Sequence, residues 1–110
     1  MPFIRTTQGT DWVKPSGWLA RLISSIDTAN PSYRGRYHLV RAWVIEFDER
    51  GVPYREVGLD SNGSPVLAGP SQRDYGFWLD TGMHYGDFVG DPVTQEDFET
   101  LWSAASASTL

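Results

Sequence analysis

From Ser16 to Ala29 the apolar residues Trp18, Leu19, Leu22, Ile23 and Ile26 recur at three- and four-residue intervals, the spacing of one helical face. Ser16 after Pro15 supplies an N-cap. Asn30-Pro31 ends the segment, because proline drives the residue before it out of the helical region. The pattern predicts a short N-terminal helix. At Arg36 the period changes to two: Tyr37, Leu39, Trp43, Ile45 and Phe47 alternate with His38, Val40, Ala42, Val44 and Glu46, with β-branched and aromatic types dominant. Around Ala42 to Ile45 both sets are apolar, which predicts a central strand covered by a helix on one side and partly packed on the other.

Asp48-Glu49-Arg50-Gly51 supplies a turn, and Val52 to Leu59 reads as the return strand with Pro53 at its beginning or on an edge. Asp60-Ser61-Asn62-Gly63 is a second turn with a strong hairpin pair, followed by a third strand at Ser64 to Ala68. After the loop 69–74, Tyr75, Phe77 and Leu79 alternate with Gly76, Trp78 and Asp80, predicting a fourth strand. Thr81 to Pro92, with three glycines, reads as a long surface loop. Thr94 then opens a helix, with Asp97 completing an approximate capping box and Val93 placed to staple onto Phe98. Phe98, Leu101, Trp102 and Ala105 form its apolar face. The fold expected is α+β: a four-stranded antiparallel meander with a C-terminal helix and a short N-terminal helix. The chain reads as a single domain over 1–110, with 1–15 irregular and 103–110 a fraying tail. Its expected core is Leu22, Ile26, Trp43, Ile45, Val57, Leu59, Trp78, Phe98, Leu101 and Trp102. Trp12, Trp18 and Trp78 lie where the pattern also allows an exposed indole.

Composition narrows the class. At 110 residues, with 14% aromatic and 21% charged, the chain has the makings of one folded core and no room for a second catalytic domain. The absence of cysteine excludes disulfides, thiolate metal sites and a Cys nucleophile. The opening residues carry no apolar signal segment and no apolar run approaches membrane-spanning length, so a cytoplasmic protein without a membrane span is expected.

Charge changes the picture more by its distribution than by its net value of -5: residues 1–73 hold all nine bases and seven acids, whereas residues 74–110 hold seven acids and no base. A field of that sign repels phosphate backbones and attracts basic surfaces, which argues against nucleic-acid binding and for a cationic protein partner. A solvated acidic face is the plainer alternative. Arg34, Arg36, Arg41, Arg50, Arg55 and Arg73 are spread over strands and turns, and salt bridges to the acidic third are their simplest use.

Signatures of acyl, phosphoryl and hydride transfer are missing. The best remaining constellation is Asp80, His84 and Asp87, where a loop brings one imidazole near two carboxylates that could hold a metal or tune a base; turn-forming aspartates beside an exposed histidine explain the same residues. Asp60-Ser61-Asn62-Gly63 imitates the start of a calcium loop but lacks its closing glutamate, Ser71 standing there instead. No cofactor is expected.

The run Arg55-Glu-Val-Gly-Leu-Asp-Ser-Asn-Gly63, then Tyr75-Gly-Phe-Trp-Leu-Asp80, then Val93-Thr-Gln-Glu-Asp-Phe-Glu-Thr-Leu-Trp102, resembles small bacterial domains, some of which look like immunity partners of polymorphic toxins. The resemblance covers about residues 36–102. It implies an antiparallel sheet with a C-terminal helix and a role in neutralising a toxin. The expected function is therefore a non-catalytic inhibitor that covers a basic site on a partner such as a nuclease toxin, through Asp80, His84, Tyr85, Asp87, Phe88 and Asp91. The competing expectations are a small enzyme or ligand-binding domain using the His84 loop, and a housekeeping domain.

Overall fold

Two turns of the same construction organise the sheet. In the first, the Asp48 N–H donates to Val52 O (2.9 Å), the Gly51 N–H to Asp48 O (3.0 Å), and Asp48 Oδ1 accepts the amides of Arg50 (2.9 Å) and Val52 (3.0 Å). The second repeats this set: Asp60 N–H to Ser64 O (2.9 Å), Gly63 N–H to Asp60 O (3.0 Å), and Asp60 Oδ1 from Asn62 and Ser64 (2.9 Å each). Gly51 (φ 79°) and Gly63 (φ 78°) close them in the left-handed region, where a Cβ would be strained.

The computed structural model describes residues 2–8, 10, 36–70, 76–79 and 81–108. Its strands are β1 (Phe3–Thr6), β2 (Ala42–Phe47), β3 (Pro53–Leu59), β4 (Pro65–Gly69) and β5 (Asp91–Pro92), followed by helix α1 (Gln95–Ser108). They form one antiparallel five-stranded sheet in the order β4-β3-β2-β1-β5. The fold is α+β with a C-terminal helix, and the β2-β3-β4 meander stands where the turns predict it. The expected N-terminal helix, with Trp12, Trp18, Leu22 and Ile26, lies outside the described residues, as do Asp74 and Asp80.

Four expectations need correction. The N-terminal stretch is not irregular throughout, since Phe3–Thr6 pairs with β2, Phe3 opposite Glu46 through Thr6 opposite Trp43. The long alternating segment is a strand only from Ala42; Tyr37–Leu39 form a 3-10 turn closed by the Val40 N–H on Tyr37 O (3.1 Å), and contact with β3 begins with the Arg41 N–H on Leu59 O (2.7 Å). Residues 76–79 are not a strand. Gly76 sits at φ 120°, and the next two side chains, Phe77 and Trp78, are both buried in the same cluster instead of pointing to opposite faces. Finally, α1 runs on to Ser108 through the residues expected to fray, with Ala105 buried against the sheet.

All six residues of β2 are buried, because it is the central strand and is covered on both sides. On one face Phe3, Ala42, Val44, Val57 and Leu59 pack with Phe98 and Ala105 of α1, with Val93, Leu101 and Trp102 half-buried around them. Thr94 caps α1, its Oγ1 accepting the Asp97 amide (3.1 Å). Burying Phe98 alone is worth about 1.5–3 kcal/mol. The opposite face carries Ile4, Val40, Trp43, Ile45, Phe47 and Leu67, roofed by Phe77, Trp78 and Phe88. There Trp43 stacks flat on Phe77 (5.0 Å, 2°) while Trp78 meets Trp43, Phe77 and Phe88 edge-on. Gly58 makes this possible: a Cβ there would lie 2.8 Å from Val40 Cγ2 and 3.2 Å from the Trp43 ring.

Candidate functional site

The loop 84–91 is fixed by its main chain and leaves most of its side chains in solvent. Tyr85–Asp87 make a single 3-10 turn; the Asp87 N–H donates to His84 O (2.8 Å) and Asp87 Oδ2 accepts the His84 N–H (2.9 Å). The Tyr85 N–H ties the turn to Gly51 O (2.8 Å) in the first hairpin loop. Further on, the Val89 N–H donates to Gln8 Oε1 (2.7 Å) and Thr6 Oγ1 donates to Val89 O (2.7 Å). Gly90 lies so close to the Arg5 carbonyl that any Cβ would overlap it. Asp91 then pairs with Arg5 in the β1–β5 register. Both flanks of Val89 are thus held while its side chain remains 78% exposed.

The proposed site residues separate into groups. His84, Tyr85, Asp87 and Asp91 are exposed, Tyr85 resting its ring edge-on against Phe47 (5.1 Å). Phe88 is corrected: it is only 7% exposed and packs between Phe47 and Trp78 (5.2 and 5.1 Å), so it is a core residue and not a surface anchor. The exposed apolar residues of the loop are Tyr85 and, beside Phe88, Val89. Glu96 and Asp97, at the start of α1, continue the exposed acidic run. Among the described residues no cation pairs with Asp87, Asp91, Glu96 or Asp97.

The Asp87 carboxylate caps the His84 amide, and among the described residues no group of three or more His, Asp or Glu side chains is placed to hold a metal. A cavity of about 230 Å³ lies elsewhere, lined by Arg36, Leu39, Pro65, Val66 and Ala105.

Two constellations were not foreseen as sites. Arg55 on β3 reaches the helix face, donating from Nε to the buried Glu46 of β2 and from both terminal nitrogens to Glu99 of α1 (3.0 and 2.7 Å). Its guanidinium also lies over Phe98 (4.9 Å) and Trp102 (5.0 Å). The Glu99 hydrogen bonds, then those of Glu46, hold Arg55 above its already high ordinary pKa, and Arg55 in turn holds the Glu99 carboxyl below the usual range. This is the salt bridge to the acidic third that the arginine distribution suggested. The second constellation is Glu56, fully buried on the other face, whose Oε2 and Oε1 accept the amides of Phe77 and Trp78 (2.6 Å each). A carboxylate with two acceptor oxygens serves the consecutive amides that the missing fourth strand leaves without a ladder.

Comparison of the chain with protein-family models, characterised proteins and solved structures finds no match.

Proposed function

We propose that the chain is a non-catalytic protein-binding inhibitor of the immunity type, which covers a basic site on a partner such as a nuclease toxin. The observation that carries this reading is the segment 84–97, in which His84, Tyr85, Asp87, Val89, Asp91, Glu96 and Asp97 are all exposed while the main chain around Val89 is fixed by Thr6 and Gln8. Asp80, which the sequence adds to the same set, lies outside the described residues. Exposed acids speed encounter with a cationic protein, and apolar side chains on a pre-organised loop retain the complex without a large ordering cost. The resemblance to immunity partners supports the same direction.

The test is calorimetric titration of the purified chain with the protein encoded by the adjacent reading frame, at low and high salt. Binding that weakens with salt, and weakens about tenfold or more when Asp87 and Asp91 are both changed to Lys, is the expected result. Absence of binding, or binding indifferent to both changes, overturns the reading.

A further inference from the structure

The two hairpin turns share every hydrogen bond described above, yet the third position of the first is Arg50 and that of the second is Asn62. The turn therefore does not need asparagine there. What Asn62 adds is chemical: an exposed carboxamide directly before a glycine, in a loop where nothing lies within 4 Å of the place a Gly63 Cβ would occupy. From this juxtaposition we infer that Asn62 is a site of spontaneous modification, converting to aspartate and isoaspartate through a cyclic imide formed with Gly63.

The step uses only the chain and water. The Gly63 amide nitrogen loses its proton to solvent base and bonds to Asn62 Cγ. The Cγ–NH2 bond breaks and ammonia leaves with the returned proton. Water then opens the five-membered imide at one of its two carbonyls. Opening at the side-chain carbonyl leaves aspartate; opening at the main-chain carbonyl leaves isoaspartate, whose backbone runs through Cβ and is one carbon longer. Glycine at the next position matters because it has no side chain to crowd the attacking nitrogen. In the closed turn that nitrogen donates to Asp60 O (3.0 Å), so reaction passes through the opened loop. Opening breaks only the loop's own hydrogen bonds, since no side chain packs over Gly63. The other asparagine, Asn30, precedes Pro31, whose nitrogen carries no proton to give up, so conversion is confined to one position.

The two products differ in what they do to the sheet. Aspartate changes charge and keeps the main chain. Isoaspartate lengthens a four-residue turn whose length sets the β3–β4 register, and β4 is the edge strand that α1 packs against.

The experiment incubates the native chain in mildly alkaline buffer at physiological temperature and maps its peptides by mass spectrometry, with the urea-unfolded chain alongside. Conversion at Asn62, a gain of one mass unit with an isoaspartyl and an aspartyl product, is expected in both samples and more slowly in the native one; an Asn62→Arg variant, copying the first turn, should keep the parent's melting temperature and remain unconverted. A native sample still unconverted when the unfolded one is exhausted overturns the site. The isoaspartyl fraction should melt below the parent, while an Asn62→Asp variant melts with it; equal melting of these two overturns the effect on the turn.

Discussion

Replacing Arg55 with alanine removes the one cation among the described residues that reaches the buried Glu46. The Glu46 side chain is 3% exposed and that of Arg55 19%, so water screens their interaction little and cannot rehydrate the carboxylate without disturbing the helix–sheet interface. Leaving a buried anion without its partner costs about 3–5 kcal/mol. Losing the guanidinium from over Phe98 and Trp102 adds about 0.5–1 kcal/mol. The Glu99 arm adds little to this figure because that carboxylate is 43% exposed and returns to water. Arg55→Ala should therefore lose about 3.5–6 kcal/mol in a urea titration followed by far-ultraviolet circular dichroism, a large share of a small domain's stability. The companion variant separates charge from packing. Glu46→Leu with Arg55→Met replaces the pair by apolar groups of similar bulk and should recover to within about 1 kcal/mol of the parent. A loss below about 1.5 kcal/mol in Arg55→Ala, judged against the same buried-pair range, would refute the desolvated ion pair. So would a double variant no more stable than the single one.

Three other outcomes follow from the packing and the charges. Gly58→Ala should cost about 1–3 kcal/mol by driving a methyl into Val40 and Trp43, and Val40→Ala should be less damaging in that background than in the parent, a non-additivity that a denaturant double-mutant cycle measures. Glu56→Gln turns one acceptor oxygen into a donor facing the Phe77 or Trp78 amide, at about 1–3 kcal/mol, and should reduce the near-ultraviolet dichroism of the aromatic cluster; an unchanged spectrum and midpoint would contradict the clamp. Glu99 and Asp48 titrate below their ordinary values of 4.5 and 3.8, because of the Arg55 side chain and the Val52 amide respectively. Their stabilising contribution is complete above those values and is lost as pH falls through the lowered ones; Glu99→Gln should flatten the acid limb of melting temperature against pH, and an unchanged limb counts against it.

Elements fixed by neighbouring residues are legible in the sequence, and elements fixed by distant partners are not. The Asp-x-x-Gly loops carry their own hydrogen bonds within five residues, so both hairpins and the strands beside them follow from sequence. The start of α1 likewise needs only Thr94, Asp97 and Phe98. Phe3–Thr6 is only four residues long, and it is a strand because Glu46 to Trp43 stand opposite. Asp91–Pro92, two residues ending in proline, has no strand character apart from β1. Phe77 and Trp78 alternate with their neighbours as a strand would, but Glu56, more than twenty positions earlier, takes their amides out of any ladder. Glycines around Phe88 suggested an exposed anchor; the aromatic shelf of Phe47 and Trp78 that buries it comes from two other segments. The acidic surface was legible as composition. Which acids are spent, as Glu99 is on Arg55, was not.

The position of β1 between β2 and β5 has a consequence for how the molecule comes into being. During synthesis β1 emerges before the other described strands, yet it has nothing to pair with until Ala42–Phe47 has left the ribosome, and β5 has no place in the sheet until β1 occupies its own. The β2-β3-β4 meander, closed by short loops, is free to form first at low entropic cost. The sheet then grows outward by longer closures, β1 onto β2 and finally β5 onto β1. The loop that Val89 presents is pinned by Thr6 and Gln8, so it is among the last features to reach its final shape. A nascent chain stalled before that closure would hold a complete meander and lack the surface that lies on β1 and β5.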